Sequence, residues 1–281
     1  MEKWQRRRIL IWGKTRPELS KTYREVVCTG GVFNDTKRLV RLYPIPLRYI
    51  DDEHVFKKYQ WIEANVVKAQ NDPRPESYKI NPEGIYVDNK VETSRGNWDA
   101  RAVWILNDQN VFKSVEALQE RQLIDQTSLG LVKPFRILDI QAQPFSQQEK
   151  NEFWKNYLDA VSQMNLPLDS ETNREIKPLT PPDYRFRINF TCADAMCNHG
   201  HSFRILDWEL DALYFNLLQR GNSKSESAAK VVQKLHEICA PDKDLYFFLG
   251  NISNHLHIFT IVGLWYPKKT AVTEQQQLFS K

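Results

Sequence analysis

The spacing of apolar residues predicts short strands over the first quarter of the chain. Apolar and β-branched residues come in short runs separated by glycine, asparagine and proline, which is the pattern of strands joined by turns. Thr29, Gly30 and Gly31 are predicted to form one such turn, and residues 34–35 another. The predicted strands occupy residues 8–12, 23–28, 39–43 and 61–67. We therefore expect a small β-barrel-like region at the N-terminus.

Helical spacing follows in the middle of the chain. A helix is predicted over residues 114–123, where Ser114 precedes the apolar face as a candidate N-cap. A second helix is predicted over residues 146–164, where Ser146 and Glu149 have the spacing of a capping box ahead of an apolar stripe.

The last third of the chain has the clearest pattern. Residues 184–190 alternate polar and apolar side chains, which predicts a half-buried strand. Asp207 and Gly221 are placed to begin and end a helix. A further helix and two nearly continuous apolar strands are predicted at residues 225–238, 245–249 and 258–266. This order of elements indicates an α+β unit.

A proline-rich stretch predicts how the chain is divided. Residues 165–183 contain four prolines and no apolar periodicity, which is typical of a linker or a long loop. We expect a basic, β-rich region with helices over residues 1–164 and an α+β module over residues 184–281. The predicted fold class is α+β, with an N-terminal small β-barrel-like region and a C-terminal α+β module with a Cys/His loop.

The composition is that of a globular protein with a sizeable core. Hydrophobic residues make up 41% of the chain and aromatic residues 12%, too much for a disordered protein. No apolar run approaches the roughly 20 residues that span a bilayer, and the apolar piece at the N-terminus is short for a signal peptide. Four cysteines at uneven spacing do not suggest a disulfide framework. We expect a cytoplasmic protein with no membrane partner.

The net charge of +4 is unevenly distributed. Residues 1–60 hold 14 Lys and Arg against 7 Asp and Glu. Such a segment favours an anionic partner, most commonly DNA or RNA, although a solvated basic face would give the same count. Cations neutralise phosphates and aromatic rings stack on bases, although Trp12 and Tyr43 could equally belong to a core. The predicted nucleic-acid-binding residues are Arg6, Arg7, Arg8, Trp12, Lys37, Arg38, Arg41 and Tyr43.

Two cysteines and two histidines fall within ten residues directly after the strand predicted at 184–190. Cys192, Cys197, His199 and His201 are side chains of the types that bind zinc. The gap between the cysteines is at the upper end of the usual spacing, and free cysteine is also a common core residue. A bound zinc and ordinary packing therefore both remain open. Candidates for a further ligand are Cys239, His236, His255 and His257.

Three functions fit these features. The first is nucleic-acid binding through the basic N-terminal face, together with a structural zinc. The second is a metal-dependent nuclease or phosphoesterase, in which the Cys/His residues hold the ion and Asp207 or Glu209 acts as the base, although helix capping alone explains both carboxylates. The third is a non-enzymatic protein-interaction subunit that uses the aromatic strand at 259–266.

Overall fold

Five strands of the N-terminal region close into a barrel in the computed structural model, which describes residues 3–20, 24–94, 96–164, 180, 183–194, 197, 199–252 and 255–269. The strands of this region are β1 (Gln5–Lys14), β2 (Glu18–Ser20), β3 (Arg24–Phe33), β4 (Leu39–Ile45), β5 (Gln60–Lys68), β6 (Ser77–Ile80) and β7 (Tyr86–Lys90). β1 pairs with β3 on one side and with β5 on the other, and β4 and β6 complete the ring. The predicted barrel-like region is therefore confirmed.

The barrel interior is apolar because each strand directs alternate side chains inward. Ile9 and Ile11 of β1, Leu42 of β4 and Ile62 of β5 are fully buried there. Phe56, from the connection between β4 and β5, joins the same cluster. Burial of several such side chains stabilises the barrel, by about 1.5–3 kcal/mol for each one.

The turn predicted at Thr29, Gly30 and Gly31 is wrong, because all three residues lie inside β3. A Cβ atom on Gly30 would lie 2.2 Å from the indole of Trp12, and one on Gly31 would lie 2.4 Å from Ile9. Glycine is needed at these positions so that the neighbouring side chains can pack directly on the strand backbone. The turn predicted at residues 34–35 is confirmed and extends to Thr36, with Lys37 following at a φ of 53°.

Helices alternate with two smaller sheets in the rest of the described chain. The elements are α1 (Asp99–Ile105), β8 (Val111–Phe112), α2 (Val115–Asp125), β9 (Leu129–Val132), β10 (Arg136–Pro144), α3 (Gln147–Met164), β11 (Tyr184–Thr191), β12 (His201–Arg204), α4 (Trp208–Gln219), α5 (Lys224–Ile238), β13 (Tyr246–Ile252) and β14 (His255–Trp265). One sheet has the order β10-β11-β12 and the other β14-β13-β9-β8. Together with the barrel, these elements confirm the α+β class.

The helix starts follow the capping signals in the sequence. Ser114 accepts a hydrogen bond from the amide of Ala117 at the start of α2. Ser146 and Glu149 exchange side chain to backbone hydrogen bonds ahead of α3, as a capping box does. α5 begins slightly earlier than predicted because Ser223 forms a capping box of its own.

A shared apolar cluster joins the barrel to the C-terminal sheets. Trp12 of β1 stacks on Phe248 of β13, with ring centres 4.2 Å apart and an interplanar angle of 4°. Its Nε1 atom donates a hydrogen bond of 2.7 Å to the carbonyl of Gly31. Trp265, at the end of β14, belongs to the same cluster and is fully buried. Most of the strand at 259–266, which the third hypothesis placed at a protein interface, therefore lies in the core.

Strands from both sides of the proline-rich stretch share sheets. β9 pairs with β13, and β10 pairs with β11. Residues 165–179, 181 and 182 of the predicted linker lie outside the described residues, and the proposed division at this stretch stays a prediction. Of the helices in the described ranges, none combines the length and the apolarity needed to cross a lipid bilayer.

Candidate functional site

Four side chains of metal-ligating types lie close together, where the first turn of α2 is next to the connection between β11 and β12. Glu116, Cys192, Cys197 and His201 each offer one donor atom, and these atoms all lie within 4.8 Å of one another. Cys192 is buried and the other three residues are half-buried. Two sulfurs, one imidazole nitrogen and one carboxylate oxygen at this spacing can hold a metal ion.

The first turn of α2 supplies the carboxylate. Capping by Ser114 starts the helix at Val115 and puts Glu116 in the first turn, where the helix dipole favours negative charge. The Oε1 atom of Glu116 lies 3.2 Å from Nε2 of His201. Its Oε2 atom is buried and has no hydrogen-bond partner among the described residues. A bound cation would compensate for the cost of that buried, unpartnered oxygen.

The connection between β11 and β12 supplies the other three donors. Cys192 directly follows β11 and His201 opens β12. The amide of Cys197 donates a 3.0 Å hydrogen bond to the carbonyl of Asp194, which holds Cys197 close to the end of β11. The Sγ atom of Cys197 then lies 3.3 Å from Nε2 of His201 and 3.1 Å from the amide nitrogen of Cys192.

Burial sets the protonation of the cluster. It raises the pKa of the Cys192 thiol to about 12, and the neighbouring Cys197 and Glu116 add to the rise. Burial also lowers the pKa of His201, against the opposing effect of Glu116. Without an ion, Cys192 is therefore a thiol and His201 favours the neutral imidazole. A metal ion would displace the thiol proton, because the thiolate is the form that binds metals.

Three of the four residues predicted from the Cys/His spacing belong to the cluster. His199 is exposed and is not part of it. The remaining donor is Glu116, which sequence reasoning did not find because it lies far from the loop in the chain. The one sequence signal related to the position of Glu116 is the cap at Ser114, which places Glu116 in the first turn of α2. None of the other residues considered as ligands joins the cluster: Cys239, His236, His255 and His257.

Asp207 and Glu209, considered as a catalytic base, stand at the start of α4. Asp207 is buried and accepts a 2.9 Å hydrogen bond from the Glu209 amide, which confirms the predicted cap. Nζ of Lys58 lies 3.4 Å from Oδ2 of Asp207 and 2.9 Å from Oε2 of Glu209. Burial raises the pKa of Asp207 and Lys58 opposes that rise. Both carboxylates are thus bound by Lys58, and neither belongs to the metal-ligating cluster.

Five of the eight residues predicted to bind nucleic acid have cationic side chains that lie on the barrel surface. Arg6, Arg7 and Arg8 lie in the first half of β1, and Lys37 and Arg38 lie in the turn between β3 and β4. Four of them are exposed and Arg7 is half-buried. We call these five residues the barrel cations. The three arginines of β1 form ion pairs of 3.2, 2.6 and 2.7 Å with Glu63, Asp35 and Asp88, respectively.

Trp12 and Arg41 lie in the interior rather than on the predicted surface. Trp12 is 2% exposed because it fills the contact between the barrel and β13. Arg41 is 7% exposed, and its Nη2 atom donates a 3.2 Å hydrogen bond to the carbonyl of Ser128 at the start of β9. Neither side chain can therefore touch a ligand on the barrel surface. Tyr43 is 44% exposed and lies on the surface.

A cleft of about 570 Å³ opens beside two of the barrel cations. It runs between the barrel and the segment that contains β8 and α2. Its lining combines the guanidiniums of Arg7, Arg38 and Arg121, the rings of Phe33, Tyr78 and Phe112, and the carboxylates of Glu76, Asp108 and Asp125. Its volume is within the range of small-molecule sites.

Two family models match the chain. Residues 5–107, which contain the barrel and α1, match a Domain of unknown function (DUF8758). Residues 111–281, which contain the metal-ligating cluster, match a Domain of unknown function (DUF8757). No curated protein matches the chain. Because the second model covers more than half of its length, the chain belongs to the family with the Domain of unknown function (DUF8757).

Proposed function

We propose that this protein binds single-stranded nucleic acid with the barrel cations and the adjoining cleft. The observation that carries the proposal is the position of Arg7 and Arg38. Both were predicted from the sequence to contact phosphate, and both line a cleft that also contains aromatic rings. Cationic side chains beside aromatic faces are the combination that binds single strands in other proteins.

A phosphate group can compete with the present partners of the barrel cations. The pairs of Arg6, Arg7 and Arg8 are wholly or partly exposed, and exposed pairs of this kind contribute only about 0–1 kcal/mol. Arg38 is bound to the neutral side chain of Gln109, with Nε and Oε1 2.8 Å apart. A phosphate oxygen can therefore replace these partners at little cost in free energy.

Aromatic side chains lie directly beneath the cations. The guanidinium of Arg7 lies 4.1 Å from the centre of the Phe33 ring, and Nζ of Lys37 lies 5.1 Å from that of Trp104. These contacts hold the long side chains in place through cation–π attraction. A cation that is already ordered loses less conformational entropy when it binds a phosphate.

The carboxylates that line the cleft favour the binding of a nucleobase over the binding of a phosphate group. Glu76 is held by Ser128, whose hydroxyl donates a 2.7 Å hydrogen bond to Oε2, and Asp125 is paired with Arg121 at 2.7 Å. Carboxylates repel phosphate but accept hydrogen bonds from the amino groups of bases. In the proposed arrangement the base enters the cleft and the backbone follows Arg7 and Arg38 at its edge.

The same proposal includes a structural zinc at Glu116, Cys192, Cys197 and His201. Soft thiolates together with imidazole favour zinc over calcium or magnesium. Four protein donors complete a tetrahedral site and leave no position for water, which supports a structural role rather than a hydrolytic one. The ion would tie α2 to the β11–β12 connection and so support one side of the segment that borders the cleft.

The proposal predicts that Arg7→Gln/Arg38→Gln binds single strands at least about tenfold more weakly than the unmodified protein, because hydrogen bonds to charged groups contribute about 1.5–3 kcal/mol each. Fluorescence anisotropy with labelled DNA and RNA of about 20 nucleotides measures this, at about 50 mM salt where phosphate contacts are strongest. Arg220→Gln/Lys234→Gln removes two charges that lie neither in a barrel strand nor in the lining of the cleft, and it serves as the matched control. Wild-type affinity in the Arg7→Gln/Arg38→Gln variant would refute the proposed surface.

A further inference from the structure

Arginines gather on one face of the sheet β10-β11-β12, opposite the face that packs into the core. Phe186 and Ile188 of β11 face the core, so Arg185 and Arg187 share the opposite face of the strand. Arg204 of β12 lies directly opposite Arg187 in the antiparallel pair. The sequence shows that polar and apolar residues alternate along β11, but it does not show that Arg204 of β12 lies opposite Arg187.

Shared neighbours hold these guanidiniums close together. The Cζ atoms of Arg185 and Arg204 lie 4.4 and 5.5 Å from the centre of the same Phe145 ring. Arg16, which follows β1, reaches the same region through Asp211 of α4, with Nε and Oδ2 3.1 Å apart. Burial raises the pKa of Asp211, and the charges of Arg16 and Arg204 oppose that rise. Asp211 therefore experiences the charges of both Arg16 and Arg204. Arg204 shares the Phe145 ring with Arg185 and lies opposite Arg187.

The positive charge of this group exceeds that of its acidic partners. Arg16 pairs with Asp211, and Arg185 pairs with Glu149. Arg187 donates instead to the carbonyl of Ser202, at 2.9 Å. Within the described ranges, Arg204 forms no ion pair with a carboxylate. Among the residues that the structure describes, four guanidiniums thus meet two carboxylates, which leaves an excess of two positive charges.

Several hydrogen-bonding atoms in the group are buried without a partner. They are Nη2 of Arg16 and the Nε atoms of Arg185 and Arg204, with no acceptor among the described residues. Burial lowers the pKa of Arg204, and the charges of Arg185, Arg16 and Arg187 lower it further. Buried donors without acceptors and like charges opposite each other on paired strands both reduce stability. An anion bound among the guanidiniums would remove both costs.

We propose that Arg16, Arg185, Arg187 and Arg204 form a binding site for a phosphoryl group, carried by an organic phosphate ester or present as free phosphate. The planar guanidinium presents two N–H groups that match phosphate oxygens. A phosphate monoester carries about −1.5 to −2 charges at pH 7, which matches the excess positive charge. Arg16 follows the end of β1 opposite to Arg6, so the site is independent of the proposed nucleic-acid surface.

Isothermal calorimetry with inorganic phosphate, adenosine 5′-monophosphate and adenosine tests this site, at constant ionic strength maintained with chloride. We expect the two phosphate-containing ligands to bind, and adenosine, which has no phosphoryl group, to show no binding that Arg204→Gln removes. Arg204→Gln is expected to weaken phosphate binding at least tenfold, whereas Arg220→Gln, on the exposed end of α4, should bind as the unmodified protein does. Tighter binding of the monophosphate than of phosphate would identify an ester as the ligand, and equal binding would identify the free anion.

The stability of Arg204→Gln without ligand separates a binding role from a purely structural one. Because the substitution removes like-charge repulsion, we expect its thermal midpoint in chloride to equal or exceed that of the unmodified protein. Arg187→Gln provides a second variant with the same expected loss of phosphate affinity. The proposal is overturned if no phosphate-containing ligand binds, or if both variants bind phosphate with unchanged affinity.

Discussion

Removal of the proposed zinc ion is expected to lower the thermal midpoint of unfolding by about 10 °C or more, which corresponds to roughly 3 kcal/mol or more for a chain of this size. Structural zinc contributes its binding free energy to folding because the unfolded chain has no formed site. Here the ion would also satisfy the buried Oε2 atom of Glu116. Calorimetric scans with and without chelator measure the effect, and elemental analysis is expected to give one zinc per chain.

Substitutions in the cluster distinguish ligands from neighbours. Cys192→Ser and Cys197→Ser are expected to lose the ion, because a serine hydroxyl is a poor substitute for a thiolate. Glu116→Gln should weaken zinc binding, since it replaces a charged oxygen with a neutral amide. His199→Ala is the control and should retain the ion, because His199 lies outside the cluster. Purified protein without metal, or zinc retained in both cysteine variants, would contradict the site.

Trp12→Ala is expected to lower the free energy of unfolding by about 3–5 kcal/mol, the usual cost of truncating a buried aromatic side chain. The substitution would remove the stacking of the indole on Phe248 and its hydrogen bond to the carbonyl of Gly31. It would also leave a cavity against Gly30, whose lack of a side chain makes room for the indole. Urea unfolding followed by circular dichroism measures the change.

The control for this prediction is Trp4→Ala. Trp4 is 52% exposed, and substitutions at exposed positions usually change stability by less than about 0.5 kcal/mol. If the free energy of unfolding of Trp12→Ala is within about 1 kcal/mol of that of the unmodified protein, the contact between the barrel and β13 contributes little to stability. A single transition in both variants would show that the barrel and the C-terminal sheets unfold together.

Local signals in the sequence predicted much of the fold. The alternation at 184–190 identified β11, and the caps at Ser114, Ser146 and Asp207 identified three helix starts. These signals succeed because hydrogen bonds near a helix terminus involve residues only a few positions apart. The order of short strands also indicated the barrel, although their pairing was not predictable from spacing alone.

The failures involve contacts between residues that are distant in the chain. Gly30 resembles a turn residue locally, but its role depends on the ring of Trp12, which approaches from another strand. Arg41 resembles a surface cation, but it is buried by the later strand β9. Glu116 has no motif of its own and becomes a candidate ligand only because α2 packs beside the β11–β12 connection. Tertiary packing, rather than local propensity, decides such positions.

The salt dependence of single-strand binding tests the proposed function most directly. Each phosphate contact on a single strand contributes about −0.7 to the slope of log affinity against log salt concentration. If the five barrel cations contact phosphates, the slope should be about −3.5, and it should become about 0.7 less steep for each cation that is removed. A protein that fails to bind at low salt, or a slope unchanged in Arg7→Gln/Arg38→Gln, would contradict the account.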